Sequence, residues 1–145
     1  MALVRASLHV VDHPLTAEAT SPAALVGPTD GAIASFLGVV RDHHHGQAVR
    51  SLRYECYVPM AEHQLERIAE AVGAELGEQP LVVSVWHGYG EMVPGDVSLA
   101  VHCASPHRVA AFDACRAVVE AIKADLPIWK EERYADGSAR WLKGS

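Results

Sequence analysis

SPHRVAAFDACRAVVEAIKADLPIWKEE, residues Ser105 to Glu132, runs one long helix directly into one strand. Ser105 is a favourable N-cap, and Pro106 suits the first helical position. Val109, Phe112, Val119 and Ile122 recur at helical spacing, with Cys115 between them. Pro127 ends the helix and biases Leu126 to extended backbone. Ile128 to Tyr134 then reads as a strand. Its period of two puts Ile128, Lys130 and Glu132 on one face and Trp129, Glu131 and Arg133 on the other. His107 and Arg108 stand at the helix start, Lys123 at its end and Lys130 in the strand. A chain with formal net charge −6 has gathered much of its positive charge into one connected element.

Outward from this stretch, Asp136-Gly137 predicts a turn before Ala139 to Leu142. Upstream, Leu81 to His87 and Val97 to Ala104 read as a returning pair of strands across the turn-rich link Gly88 to Asp96. Pro59 to Leu76 reads as a helix. Leu65, Ile68, Ala69 and Val72 form its apolar stripe, and Glu62, Glu66, Arg67 and Glu70 its wet side. Gly77 is a plausible C-cap. Gly31 to Val40 reads as a strand buried on both faces. Together with Ser51 to Tyr57 it predicts a hairpin with a long polar tip, Asp42 to Arg50, around Gly46. Val4 to Val11 is a first strand, and Pro14 to Val26 a short helical candidate. Strands and helices mix without a βαβ rhythm. The fold class predicted is α+β: a single domain over residues 1–145, with a mixed or antiparallel sheet and packed helices.

The length of 145 residues suits one domain, and half the residues are hydrophobic, enough for a sizeable core. The net charge argues against nucleic acid as a partner. No run is long and apolar enough to span a bilayer, so no membrane partner is expected. The opening MALVRASLHVVDHPL has a short apolar segment broken by Arg5, Ser7 and His9. That is not a proper signal peptide, and the cytoplasm is the expected compartment. Cys56, Cys103 and Cys115 have unrelated spacings and no CxxC, as expected of buried thiols rather than a disulfide framework or a zinc finger.

His107 and Arg108 lie where a helix's free N–H groups also favour an anion. Arg41 closes a strand, a common place for a binding residue. Lys123 and Lys130 could hold or protonate an anionic substrate. The bland reading of these five residues is solvated surface charge, and composition does not separate the two. Helix length adds a constraint. His107 and Lys123 are sixteen residues apart, about 24 Å at helical rise. One small molecule cannot touch both ends of a straight helix. A site that uses both ends needs a second copy of the chain, so a homodimer with shared pockets is expected. His43-His44-His45 lacks a companion pattern such as HExxH, so a mobile polar tip is expected there and no metal site. His87 and His102 read as structural histidines. Neither GxSxG nor GxGxxG is present. Glu132, facing the same way as Lys130, could orient that ammonium.

GAIASFLGVVRDHHHG, YECYVPMAEHQL, HGYGEMVPGD, SPHRVAAFDACRAVVEAIK, PIWKEE and a later G…RW occur in this order between Gly31 and Trp141. In that order and spacing the chain resembles the large, catalytic subunits of molybdopterin synthases. The resemblance implies a hammerhead-like α+β fold. It implies that cyclic pyranopterin monophosphate becomes molybdopterin as a dithiolene is built. The sulfur would come from the C-terminal thiocarboxylate of a small ubiquitin-like sulfur-carrier subunit. It also implies a homodimer of this chain with one small subunit at each end, a heterotetramer overall. Carried over by position, Lys123 and Lys130 are the catalytic candidates, with Lys123 where the partner's tail enters. Arg41, His107 and Arg108 match positions that bind the pterin phosphate; Phe36 and Glu132 match pocket-supporting positions. No metal or other cofactor is implied for this step. Gly88 departs from the pattern, which often has a basic residue there, and Cys56 stands where Ala is more usual. Two alternatives are a non-catalytic dimeric module that binds a ubiquitin-like tail, and a metal-binding protein using the histidine loop.

Overall fold

Two sheets share the strands of the computed structural model, which describes residues 4–22, 25, 27–77 and 79–144. The first takes β1 (Val4–Val11), β5 (Leu81–Gly88), β7 (Val97–Ser105) and β2 (Ala32–Val39), side by side in that order. β1 runs parallel to β5, and the other pairs are antiparallel. The second takes β3 (His43–His44), β4 (Gln47–Cys56), β8 (Ile128–Tyr134) and β9 (Ala139–Lys143), with β6 (Gly90–Met92) also paired to β4. The link between β5 and β7 thus reaches across to the second sheet. Helices α2 (Val58–Glu75) and α3 (Arg108–Asp125) pack on the first sheet and on each other. A four-residue helix, α1 (Ala17–Thr20), covers its other side through Ala19, which clusters with Leu15 and Ala100. The α+β class follows directly. Of the helical candidate Pro14 to Val26 only α1 is seen; Ala23, Ala24 and Val26 lie outside the described residues.

The stripe read for α2 is the buried one: Leu65, Ile68, Ala69 and Val72 all face the core. Gly77, at φ 71°, takes the left-handed turn that ends it. Leu126 is extended, as the following proline requires. In β8, Ile128, Glu132 and Tyr134 are buried while Trp129 is exposed, the period-two pattern.

Three expectations fail. β2 is not buried on both faces: it is the edge of its sheet, and Ile33, Leu37 and Val39 are exposed. Nor does it form a hairpin with β4. Residues 43–48 make their own tight hairpin instead, with His43 opposite Ala48 and His44 opposite Gln47. Its two turn residues, His45 and Gly46, have φ of 49° and 78°, the signs a type I′ turn demands. The third failure concerns α3. Ser105 does not cap it, because Ser105 still pairs with Ala32 in the ladder and its hydroxyl donates to the Pro80 carbonyl at 2.8 Å. The helix starts at Arg108, and its buried face is Ala110, Ala111, Ala114, Cys115, Val118 and Ile122. Small side chains seat the helix on the sheet. Val109 and Phe112, the larger apolar residues of its first turns, are 67% and 66% exposed.

Candidate active site

Register decides which charged residues can meet. β7 pairs Val97 with Val39 and Leu99 with His87 at one end, and Ser105 with Ala32 at the other. Arg41 follows Val40, whose N–H donates to the Asp96 carbonyl at 2.9 Å, so Arg41 belongs to the first end. His107 and Arg108 follow Ser105 and belong to the second. α3 is one unbroken helix of 18 residues, about 27 Å. It brings Lys123 back to the first end, where its charge acts on His87. Arg41, Lys123 and Lys130 therefore share one end of the molecule. His107 and Arg108 lie at the other, exposed.

The lysine end is desolvated. His87 is fully buried, and its Nδ1 lies 2.8 Å from the Gly88 carbonyl, so Nδ1–H donates there. Its ring meets Tyr54 edge-on at 5.9 Å. Burial pushes the His87 pKa down to about 4; the bond to Gly88 opposes this and the Lys123 charge adds to it. The imidazole is neutral at pH 7. Partial burial lowers the Lys123 pKa, and the Lys130 charge lowers it further, against an opposing pull from Glu120. Lys130 lies opposite Tyr54 across β4 and β8. Burial raises the Tyr54 pKa, a hydrogen bond with Ser98 opposes that, and the Glu132 charge supports it.

Glu132 is 4% exposed and does not pair with Lys130. Its Oε1 accepts a short hydrogen bond from His44 Nδ1 and a second from the Tyr134 hydroxyl at 3.0 Å. The histidine run is thus divided among separate tasks. His43 Nδ1 is 2.6 Å from Asp42 Oδ1, His44 goes to Glu132, and the His45 ring leans on His44. Among the described residues no group of three or more His, Cys, Asp or Glu is placed to hold a metal ion.

Two concavities of about 320 Å³ each open on the single chain. One lies between α2 and α3, lined by Gln64, Arg67 and Asp125 among others. The second runs between β2 and α3, with Phe36, Phe112, Cys115 and Val119 on its walls. This groove holds Phe36, but neither concavity is lined by Lys123 or Lys130. The thiols are not placed as nucleophiles for the lysine end: Cys103 and Cys115 are buried together, and burial pushes Cys56 up to about 11.

Sequence reasoning reads His87 only as a structural histidine and does not single out Tyr54. For His87 a signal existed: period two along Leu81 to His87 aligns it with the inward-facing Val83 and Val85. Tyr54 likewise alternates with the exposed Arg53 and Glu55.

The sequence pattern of the MoaE protein family matches residues 10–125, which is most of the chain. This chain belongs to the MoaE family. Over 134 residues it is 38% identical to molybdopterin synthase catalytic subunit 1 of Mycobacterium tuberculosis, covering 92% of this chain and 88% of that protein. The molybdopterin synthase catalytic subunit of Pseudomonas aeruginosa is 41% identical over 79% of this chain and 74% of its own length. The crystal structure of molybdopterin synthase from Staphylococcus aureus superimposes with a TM-score of 0.82 at 30% identity, covering 92% of this chain and 95% of that one. Within this MoaE chain Gly88 has a physical reason. A Cβ there would stand 2.6 Å from the His13 carbonyl oxygen and 2.7 Å from Met92 Cε, so no larger side chain fits.

Proposed function

We propose that this chain is the catalytic subunit of a molybdopterin synthase and works as a sulfur transferase. Cyclic pyranopterin monophosphate is the substrate. The sulfur arrives on the C-terminal thiocarboxylate of a small ubiquitin-like subunit. The observation that carries this reading is the pairing of Lys123 and Lys130 beside buried, neutral His87, with the Lys123 pKa lowered by burial and by the Lys130 charge. A lysine whose pKa is lowered in this way gives up its proton more readily than an ordinary one, and its neighbour places a second cationic side chain beside developing anions. The family membership supports this choice of reaction. The chain supplies no exposed activated thiol, which suits a sulfur atom carried in by the partner.

In this reading Lys123 and Lys130 are catalytic, and Arg41, His107 and Arg108 bind the pterin phosphate. Phe36 and Glu132 support the pocket. The separation of His107 and Arg108 from Lys123 along α3 favours a homodimer in which each pocket draws on both copies. Exposed Val109 and Phe112 beside the edge strand β2 offer apolar surface for such a contact.

The test is reconstitution. Purified chain, thiocarboxylated small subunit and cyclic pyranopterin monophosphate are mixed, and dithiolene product is assayed. Product is expected only with all three. A folded, partner-bound chain that yields none would reject the enzyme. Activity that survives Lys123→Ala in full would point instead to a non-catalytic module.

A further inference from the structure

The histidine loop has a use that its composition does not announce. Glu132 is a nearly fully buried carboxylate, and such a group requires partners. The nearest cation on its own strand face is Lys130, two residues away and about 7 Å along the backbone. An ion pair between them would be the default. None forms: among the described residues Lys130 makes no ion pair at all. Instead both bonds to Glu132 Oε1 come from His44 and Tyr134. Tyr134 is on the same strand. His44 comes from the separate β3–β4 hairpin, and its imidazole is largely covered as it reaches in.

We propose that His44 is a positioning residue: by holding the Glu132 carboxylate it keeps the Lys130 ammonium from being neutralised by the nearest buried anion. Lys130 then presents its full charge to Lys123 and to an incoming anionic substrate. The groups that face Lys130 fit this division. Tyr54 stands across from it on β4, Lys123 approaches from α3 and His87 lies beyond on β5, with Leu142 opposite on β9. Of these and the neighbours on its own strand face, Ile128 and Glu132, Glu132 alone is an anion at neutral pH; Glu131 points to the other face and pairs with Arg133. The type I′ turn at His45-Gly46 fixes the register that delivers His44 to this place.

The decisive measurement needs no turnover. Lys123, Lys130 and Lys143 are the chain's lysines, so labelling lysine with ¹³C at Cε and assigning by single Lys→Arg changes resolves each one. In His44→Ala the freed carboxylate turns to Lys130, and the titration midpoint of Lys130 is expected to rise by about one pH unit relative to the unsubstituted chain. His44→Asn keeps an N–H donor close to the place of Nδ1 and is expected to leave the midpoint unchanged. Adding Glu132→Gln to His44→Ala removes the carboxylate and should restore it. An unmoved Lys130 signal in folded His44→Ala overturns the proposal. A rise that persists in the double variant overturns it too, as does Asn behaving like Ala.

The kinetic arm rests on the synthase reading above. His44→Ala should lower kcat about tenfold with little change in KM for the small subunit, and His44→Asn should recover it. Failure of the unsubstituted chain to make product, with the lysine shifts intact, would reject the synthase and leave the role of His44 standing.

Discussion

The two ends of α3 carry charges of the same sign in opposite surroundings. At the start, His107 and Arg108 are exposed beside the bare side chains of Val109 and Phe112. At the finish, Lys123 meets Lys130 and a fully buried His87. A charge in water is cheap and has little chemical bias. A partly desolvated ammonium next to another is driven toward its neutral form. The start offers two exposed groups, His107 and Arg108, beside the free N–H groups of a helix N-terminus. The finish offers a half-buried lysine with a lowered pKa but lacks the helix N-terminus. In the proposed reading, a single copy thus divides binding from catalysis by the length of a helix.

The strongest way to break this contrast is to remove the lysines. Lys123→Ala and Lys130→Ala should each lower turnover at least about 100-fold in the reconstituted assay. Arg108→Ala should leave global stability within about 0.5 kcal/mol, since an exposed first-turn residue packs against little. Unfolding by either lysine variant would show that the finish is structural rather than chemical. Next in size is complementation. Arg108→Ala and Lys123→Ala are mixed after dissociation and reassociation. If pockets are shared, about a quarter of the unsubstituted activity should return at equal mixing. Half of randomly paired dimers are mixed, and each of those keeps one intact site. No recovery would confine each pocket to one copy.

Acid titration sharpens the contrast from the stability side. His87 binds a proton near 6.5 when unfolded and only near 4 when folded. Between those values unfolding takes up a proton, so stability falls as the pH falls. The loss attributable to His87 is up to about 3 kcal/mol and levels off below about pH 4. Denaturant midpoints for His87→Phe should lack that part of the acid limb. A variant as acid-sensitive as the unsubstituted chain would deny His87 its buried, neutral state. Smallest in expected effect is Gly88→Ala, which should cost about 1–3 kcal/mol by overpacking His13 and Met92. A neutral result there would mean that the lysine end is as loosely packed as the helix start.

Much of this was readable in advance where the signal is local. The stripe of α2, the extended Leu126 before Pro127 and the two faces of β8 follow from spacing and proline sterics alone. What misled were residues whose local preference lost to a tertiary partner. Ser105 favours a cap but is held in the ladder by Ala32 and Pro80. Val109 and Phe112 have core chemistry, yet the alanines one position away let α3 sit closer to the sheet. Hydrophobic β2 looked central because a sequence does not show which strand has only one neighbour. The histidines looked like a loose tip because Glu132 lies 88 residues from His44 in the chain.

The sequence by itself determined the element types, the family and the impossibility of one straight helix touching one ligand with both ends. These depend on nearest-neighbour sterics, on period and on rise per residue, which are properties of the chain. Only the tertiary structure decided that Arg41 lies with the lysines rather than with His107 and Arg108. It also decided that His87 is neutral beside them and that Glu132 answers to His44. Those outcomes depend on strand register and on how much water each charge keeps, and both are settled only when distant segments pack.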